Sequence, residues 1–276
     1  MPVTNAKEVN ELMTLLGSAP LKRYGQNFLI DQKIIEDIIQ AFQPQKKDNI
    51  LEIGPGLGAL TTHLVGSGAQ VIAVEIDRKL SAFLQSNLKI NGNLVVINQN
   101  ILQTKLSAFP SPLRIISNLP YNITTLVIEK IIKESINVKD FLFMVQKEVI
   151  ARLNAKVGTA EYGPLAIMLN LLTEGKSIMN IPREAFYPQP NVTSTIYYLS
   201  FTHLYDDYEV LGIFRLVKSM FLSRRKTIYN NLAIYLKNKN EAENTLNALG
   251  VLLNTRPEQL SPEVYLDLYR SLNSKK

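Results

Sequence analysis

The sequence predicts an α/β fold of the Rossmann-like type, a doubly wound and mostly parallel sheet followed by a small all-helical C-terminal domain. Two observations predict it. Short apolar runs alternate with segments of helical periodicity over the first three quarters of the chain, which is typical of a parallel sheet covered on both faces. Beyond His203 only helical periodicity is found. We therefore predict domains at residues 1–203 and 204–276.

The elements are expected in a regular order. Buried strands are predicted at 50–53, 71–76, 94–97, 114–117 and 141–145, and an antiparallel strand near the sheet edge at 193–201. Helices of the first domain are predicted at 34–42, 59–65 and 77–88, the first with Asp31 as its N-cap. Helices of the second domain are predicted at 210–221, 227–236, 241–249 and 261–272.

The composition excludes several classes of protein. The 276 residues contain no cysteine and two histidines, so disulfides, thiolate metal sites and a histidine-based zinc site are not expected. No apolar run approaches the ~18 residues of a membrane-spanning helix, and no secretory or transit peptide is evident. The net charge of +6 and the pI near 9.3 favour a polyanionic partner such as nucleic acid. We therefore expect a cytoplasmic, monomeric protein that works without a metal or a membrane.

A glycine-rich turn follows the first strand of the predicted sheet. Gly54, Gly56 and Gly58 permit a close backbone approach that a Cβ would forbid, and the next helix offers free N–H groups. Glu75 follows Gly54 by 21 residues, where its carboxylate can accept hydrogen bonds from both hydroxyls of a ribose. The pattern also fits a dinucleotide site. The acid Glu52 suits an ammonium-bearing methionine better than a pyrophosphate, which favours S-adenosylmethionine over a nicotinamide cofactor.

A polar turn, Asn118-Leu119-Pro120-Tyr121, follows the fourth predicted strand, at the end where ligands meet reactive groups. The Asn118 side-chain oxygen and a backbone carbonyl near Pro120 can accept hydrogen bonds from the exocyclic amine of adenine, which keeps the nitrogen lone pair available. The fixed φ of Pro120 holds such a carbonyl in place, and Tyr121 offers a face for an extruded base. Because a sulfonium methyl is already activated, in-line placement does most of the work and no strong base is required.

Together these motifs resemble the ribosomal RNA adenine dimethyltransferases. The resemblance covers almost the whole chain and is nearest to the bacterial members that dimethylate two adjacent adenosines near the 3′ end of small-subunit rRNA. The matching segments are 22–29, 51–58, 75–77, 118–121, 146–148, 162–163, 186–190, 224–227 and 256–260. The resemblance implies a class I methyltransferase domain, a helical RNA-binding domain, S-adenosylmethionine as cofactor, and the immature 30S subunit as partner.

The resemblance also implies roles for particular residues. Those expected to bind the cofactor are Gln26, Asn27, Leu29, Gly54, Gly56, Glu75, Asn100 and Asn118. Those expected at the target base are Asn118, Pro120, Tyr121 and Phe186, with the two aromatic rings on opposite faces of the base. The basic side chains expected to contact RNA phosphates are Lys147, Arg152, Arg224, Arg225 and Lys226.

One position departs from the family pattern. Asn100 stands where the family usually has an aspartate that accepts a hydrogen bond from the adenine amine of the cofactor. An amide oxygen can accept the same bond with less charge assistance, so we expect cofactor binding to be retained, although weaker.

Three alternative functions stay open. A related enzyme would modify large-subunit rRNA and confer macrolide resistance, although the segments 224–227 and 256–260 point away from it. A non-catalytic ribosome-assembly or transcription factor of the same fold would not need the intact Asn118, Pro120 and Tyr121. A nicotinamide-dependent oxidoreductase would bind NAD tightly and transfer no methyl group.

Overall fold

A computed structural model describes residues 3, 5–21, 24–88, 92–120 and 122–274. The chain divides into two compact units. The first, here called the sheet unit, comprises Met1–Lys147 and Gly175–Phe201. The second, here called the helical unit, comprises Glu148–Glu174 and Thr202–Lys276.

The sheet unit is built on seven strands in the order β4-β3-β2-β5-β6-β9-β7. The strands are β1 (Phe28–Leu29), β2 (Asn49–Ile53), β3 (Gln70–Glu75), β4 (Leu94–Asn98), β5 (Leu113–Asn118), β6 (Val138–Gln146), β7 (Thr173–Ile181), β8 (Phe186–Tyr187) and β9 (Ser194–Phe201). Strands β2 to β6 pair in parallel and β9 pairs antiparallel with β6. The short β1 and β8 form a separate antiparallel pair. The predicted doubly wound, mostly parallel sheet is confirmed.

Helices alternate with the strands along the chain and follow them at its C-terminal end. They are α1 (Ala6–Leu15), α2 (Gln32–Phe42), α3 (Thr61–Gly66), α4 (Arg78–Asn87), α5 (Thr124–Lys133), α6 (Lys147–Leu153), α7 (Pro164–Leu172), α8 (Asp207–Met220), α9 (Ile228–Leu236), α10 (Lys239–Ala248) and α11 (Pro262–Asn273). The helices α8 to α11 confirm the helical periodicity expected at the C-terminal end. None of the helices within the described ranges is long and apolar enough to cross a bilayer.

The α2 helix illustrates how the sequence specifies an element and its packing. Its N-cap Asp31 accepts a hydrogen bond from the Ile34 N–H at 3.0 Å, which satisfies one of the free donors of the first turn. Ile35, Ile38 and Phe42 then fall on one face and are buried in the core of the sheet unit. Helical spacing of apolar residues therefore sets which face of α2 meets the sheet.

The chain enters the helical unit twice. The segment Glu148–Glu174, which the sequence analysis placed in the first domain, belongs to the same compact unit as the C-terminal helices. Its helix α7 is apolar around most of its circumference and packs against both α8 and α11. The buried Tyr162 hydroxyl donates to the Leu260 carbonyl at 2.9 Å, which joins the two segments of this unit. A division at a single point, as predicted at 203/204, does not describe this arrangement.

A buried ion network lies at the amino end of β5, at the other end of the strand from Asn118. The Arg114 side chain bonds Asp48 at 2.7 Å and Asp140 at 3.0 Å. It also donates to the Phe42 carbonyl at 2.7 Å, which ties the end of α2 to the sheet. Arg114, Asp48 and Asp140 are 7%, 8% and 1% exposed, so each carboxylate depends on this guanidinium for compensation.

We expect Arg114→Met to reduce the free energy of unfolding by about 3–5 kcal/mol, because it leaves two buried carboxylates without the guanidinium that compensates their charge. Urea denaturation measures the change. Arg183→Met is the control, since Arg183 and its partner Glu184 are both more than half exposed. A loss below about 1 kcal/mol for Arg114→Met would contradict the structural role of the network.

Candidate active site

The carboxyl ends of three neighbouring parallel strands meet at one edge of the sheet. Ile53 of β2 pairs with Val74 of β3 and with Ser117 of β5. The residues that follow each of these, which are Gly54, Glu75 and Asn118, therefore lie at the same level. A cavity opens there, and its lining includes Gln26, Asn27, Leu29, Gly54, Gly56, Glu75, Asn100, Asn118 and Pro120. The structure thus brings together every residue predicted to bind the cofactor.

The glycine turn after β2 forms one wall of this cavity. Gly54 has φ +69°, and no described atom lies within 4 Å of the position that a Cβ would occupy there. Gly56 has φ +60°, and a Cβ at that position would lie 3.2 Å from the Phe28 ring. Both positions require glycine for their backbone angle, and Gly56 also allows the strand β1 to approach the turn.

Glu75 is buried at the end of β3 and is held by two backbone donors. Its Oε2 accepts from the Gly56 N–H at 3.1 Å and its Oε1 accepts from the Asp77 N–H at 2.8 Å. Burial raises the pKa of Glu75 to about 6. Each carboxylate oxygen can accept a second hydrogen bond, so a diol such as a ribose can be bound by both oxygens together.

Glu52, on β2, is the second acid in the cavity wall. It is 2% exposed, and its Oε2 has no hydrogen-bond partner among the described residues. Burial raises the pKa of Glu52 to about 8. An acid buried without a partner is costly, and a cationic group bound in the cavity would supply that partner.

Residues 24–29, here called the N-terminal strap, also line the cavity, and Phe28 of this strap lies close to Gly56 of the glycine turn. The Gln26 Oε1 accepts from the Leu21 N–H at 2.7 Å, and its Nε2 donates to Asp77 at 3.1 Å. Because both ends of this amide are engaged within the protein, Gln26 fixes the strap beside the end of β3. Its polar groups are used for positioning, although its side chain lines the cavity.

The strap is also locked to the turn that follows β5. The Asn118 Nδ2 donates to the Asn27 carbonyl at 2.9 Å, so the amide orientation is set and Oδ1 remains as the acceptor. Gly25 has φ +60°, and a Cβ there would lie 3.1 Å from the Pro120 Cβ. The acceptor role expected of the Asn118 oxygen stays a prediction, and the orientation of the amide is compatible with it.

The carbonyl of Pro120 is already engaged. It accepts from the Ile123 N–H and from the Thr124 hydroxyl, both at 3.1 Å, at the beginning of α5. The Pro120 carbonyl therefore already accepts two hydrogen bonds, so it is a poor candidate for the backbone acceptor expected near Pro120. Tyr121, the predicted stacking residue, lies outside the described residues, as do Lys22 and Arg23.

Asn100 lines the cavity at the end of β4. Its Oδ1 accepts from the Leu102 N–H at 3.0 Å and caps the short 3₁₀ turn Ile101–Gln103. This bond orients the amide, so Oδ1 has one acceptor position left and Nδ2 points away from the turn.

Phe186 is not brought to the cavity. It is 1% exposed, lies in the main apolar core beside residues of α2, and its backbone pairs with Leu29 in the β1–β8 ladder. In this structure Phe186 is an aromatic core residue that supports β1, and stacking on a base would require its ring to leave the core.

The predicted phosphate contacts lie outside the cavity lining. Lys147 and Arg152 are exposed on α6. Arg224, Arg225 and Lys226 are exposed in the turn between α8 and α9. The Arg224 guanidinium donates to the Ala160 carbonyl at 2.7 Å and lies 5.8 Å from the centre of the Phe221 ring. In the described part of the chain no three His, Cys, Asp or Glu side chains form a group that could hold a metal ion.

Several cavity residues were not predicted. Phe28 and Met144 contribute apolar surface, and Val3 adds a contact from the start of the chain. Phe28 lies inside the matched segment 22–29, so the sequence offered a signal for it. Val3 and α1 carry no such signal, because their position depends on packing against Phe28 and Leu57.

Comparisons with known proteins all find similarity to enzymes that methylate ribosomal RNA. The sequence profile described as "Ribosomal RNA adenine dimethylase" matches residues 19–274. A protein named "Ribosomal RNA small subunit methyltransferase A" from Clostridioides difficile is 38% identical over 263 residues, covering 92% of this chain and 91% of that protein. The protein of the same name from Legionella pneumophila (strain Lens) is 38% identical over 259 residues, covering 93% and 99%.

Solved structures show the same similarity in three dimensions. A dimethyladenosine transferase from Plasmodium falciparum has a TM-score of 0.72 at 27% identity, covering 88% of this chain and 96% of that one. The 23S rRNA methyltransferase ErmE has a TM-score of 0.65 at 25% identity, covering 90% and 100%.

We expect Glu52→Gln to stabilise the protein increasingly as the pH rises from 5 to about 8. A folded-state pKa of about 8, against an ordinary 4.5, means that the wild type loses stability as pH rises through this interval. Glu75 is present in both proteins and its charge contributes to the raised pKa of Glu52, so the difference reports Glu52 together with this interaction. Urea denaturation at several pH values measures it, with the exposed Glu36→Gln as control. A difference that does not grow with pH would show that Glu52 is not buried as described.

Proposed function

Because the chain belongs to the ribosomal RNA adenine dimethylase family, we propose that it transfers methyl groups to the N6 amines of two adjacent adenosines in the 3′-terminal hairpin loop of small-subunit rRNA. The product would be N6,N6-dimethyladenosine, formed in the cytoplasm on the immature 30S subunit. One observation supports the chemistry most directly. The Asn118 amide is oriented by the strap so that its oxygen accepts hydrogen bonds beside a cavity that also contains Glu75.

S-adenosylmethionine is the cofactor proposed for this cavity, and the buried acids and Asn100 in its lining support that proposal. Glu75 would accept from the two ribose hydroxyls, and Asn100 would accept from the adenine amine through its remaining Oδ1 position. Glu52, buried without a described partner at Oε2, would compensate the positive charge at the methionine end. When bound, this cofactor supplies a methyl group already activated as a sulfonium. The protein's task is then to place the acceptor nitrogen.

The turn after β5 would place and prepare that nitrogen. Two hydrogen bonds, to Asn118 Oδ1 and to the Leu119 carbonyl, would draw the adenine amine away from conjugation with its ring and leave the lone pair free to attack. Both acceptors are fixed before the base arrives. Asn118 is held by the Asn27 carbonyl, and Pro120 is held by the start of α5. Tyr121 would stack on the extruded base.

RNA would be held by exposed basic side chains rather than by the cavity. We propose phosphate contacts for Lys147, Arg152, Arg224, Arg225 and Lys226, all of which are exposed. Such contacts position the RNA without reading its sequence, and they make binding dependent on salt concentration.

A second candidate is methylation of large-subunit rRNA, because the fold of ErmE is similar with a TM-score of 0.65. The curated relatives named as small-subunit methyltransferases are 35–38% identical, against 25% for ErmE. We therefore favour the small subunit.

Incubation with a labelled methyl donor and ribosomal subunits from a strain that lacks the enzyme separates these possibilities. We expect label in immature small subunits, recovered after digestion as N6,N6-dimethyladenosine. Label confined to large subunits would favour the second candidate. No transfer to either subunit would favour a non-catalytic assembly factor, and tight NAD binding without transfer would favour an oxidoreductase.

We expect Asn118→Ala to lower the rate of methyl transfer by about 100-fold or more, because it removes a preorganised acceptor from the transition state. Binding of RNA should be unchanged in a filter-binding assay. Ser117→Ala is the matched control. Ser117 precedes Asn118 on β5, and its loss removes a buried hydrogen bond to the Ile53 carbonyl of β2 but should leave turnover nearly intact. Unchanged turnover in Asn118→Ala would remove the proposed role.

We expect Asn100→Asp to retain or raise cofactor affinity. One carboxylate oxygen can cap the Leu102 N–H as Oδ1 now does, while the other accepts from the adenine amine with a full charge. Calorimetric titration with S-adenosylhomocysteine measures the affinity. Asn87→Asp, at an exposed position at the end of α4, controls for the added charge. Substantially weaker binding would contradict the placement of adenine beside this residue.

A further inference from the structure

The helical unit has a basic groove that the proposed active site does not use. It lies along α9 and is lined by Lys226, Asn230, Ala233, Ile234, Lys237 and Lys239. Positions 230, 233, 234 and 237 repeat at helical spacing and therefore share one face. The other face of α9 is buried through Ile228, Asn231 and Leu232. The groove is thus the solvent-facing side of a helix whose position is fixed by the core of the helical unit.

The charged side chains that line the groove are all positive. Three lysines contribute to its lining, and within the described part of the chain no carboxylate does. The nearest acid along the chain, Glu241, pairs with Asn238 in the N-cap of α10. Lys226, Lys237 and Lys239 are all exposed, so their ammonium groups can reach an anionic ligand.

Lys237 is an unusual residue for its position. It ends α9 in the left-handed conformation, with φ +55°, where glycine or asparagine is normally preferred. A side chain with a Cβ is disfavoured in this conformation. The left-handed conformation of Lys237 therefore costs some folding stability, and its side chain places an ammonium group at the end of the groove.

The shape of the groove fits an extended strand. A helix of nine residues is about 13 Å long. Lys226 precedes its first turn, while Lys237 and Lys239 follow its last. Ala233 adds only a methyl group to the middle of the groove, and Ile234, 61% exposed, offers apolar surface beside the charges. Cations at both ends of a partly apolar groove suit a strand in which charged phosphates flank less polar sugars.

We propose that the α9 groove binds a stretch of RNA backbone, through Lys226 at one end and Lys237 and Lys239 at the other. This site extends the phosphate contacts proposed for Arg224, Arg225 and Lys226 along α9 to Lys237 and Lys239. This proposal rests on the proposed function in one respect, which is that the ligand is ribosomal RNA. Because phosphate contacts are independent of sequence, the groove would add affinity and orientation without selecting the target adenosines.

The test is the double variant Lys237→Gly/Lys239→Ala, measured for binding to small subunits from a strain that lacks the enzyme, over a range of salt concentrations. Each lost phosphate contact should lower affinity roughly five- to eightfold at 0.1 M salt and reduce the slope of log affinity against log salt by about 0.7–0.9. Glycine also suits the left-handed position, so the single variant Lys237→Gly should have an unchanged or higher melting temperature while its affinity falls. A structural defect would lower both.

Lys7→Ala/Lys105→Ala is the matched control, because it removes the same charge from exposed positions of the sheet unit. If the groove double variant binds with wild-type affinity and salt slope, the proposal is overturned. A lower affinity with an unchanged slope also overturns it, since the groove would then contact a protein or an uncharged surface. Failure of the wild type to bind or methylate the subunits would instead reject the proposed function, which keeps the two outcomes distinct.

Discussion

The active site depends on the register of β2 with its two parallel neighbours. Because Ile53 pairs with Val74 and with Ser117, the three strands end at the same edge of the sheet. The glycine turn, Glu75 and Asn118 are brought together by this register alone, although they are far apart in the sequence. A shift of one residue in either pairing would turn Glu75 or Asn118 to the other face of the sheet. At the amino end of β5, the buried Arg114 network ties this strand to β6 and to the end of α2.

The N-terminal strap adds further lining to the cavity at this shared edge. It is bonded to the residues after two of the strands, through Gln26 to Asp77 and through the Asn27 carbonyl to Asn118. Glu52 and Glu75 are buried in the cavity wall, and burial raises the pKa of each. The same burial that makes these acids costly in the free protein makes them effective toward a ligand that brings positive charge and hydroxyl donors.

The features that could be predicted from the sequence are those that a local sequence pattern determines. The strands, the glycine turn and the ends at Glu75 and Asn118 follow from periodicity and spacing, which is why the fold and the cavity lining agree with the expectation. The sequence could not predict features that depend on distant contacts. Phe186 is buried because β8 pairs with β1. The Pro120 carbonyl is used by the start of α5, through the Ile123 N–H and the Thr124 hydroxyl. The segment 148–174 joins the helical unit because α7 packs on α8 and α11.

The most direct measurement is a crystal structure of the protein with S-adenosylhomocysteine and adenosine. We expect the ribose hydroxyls of the bound cofactor product on both oxygens of Glu75, and the adenosine amine within hydrogen-bond distance of Asn118 Oδ1, facing the sulfur. A ligand bound away from Glu75, or a strap that leaves no room for a base between Asn118 and the sulfur, would contradict the central claim.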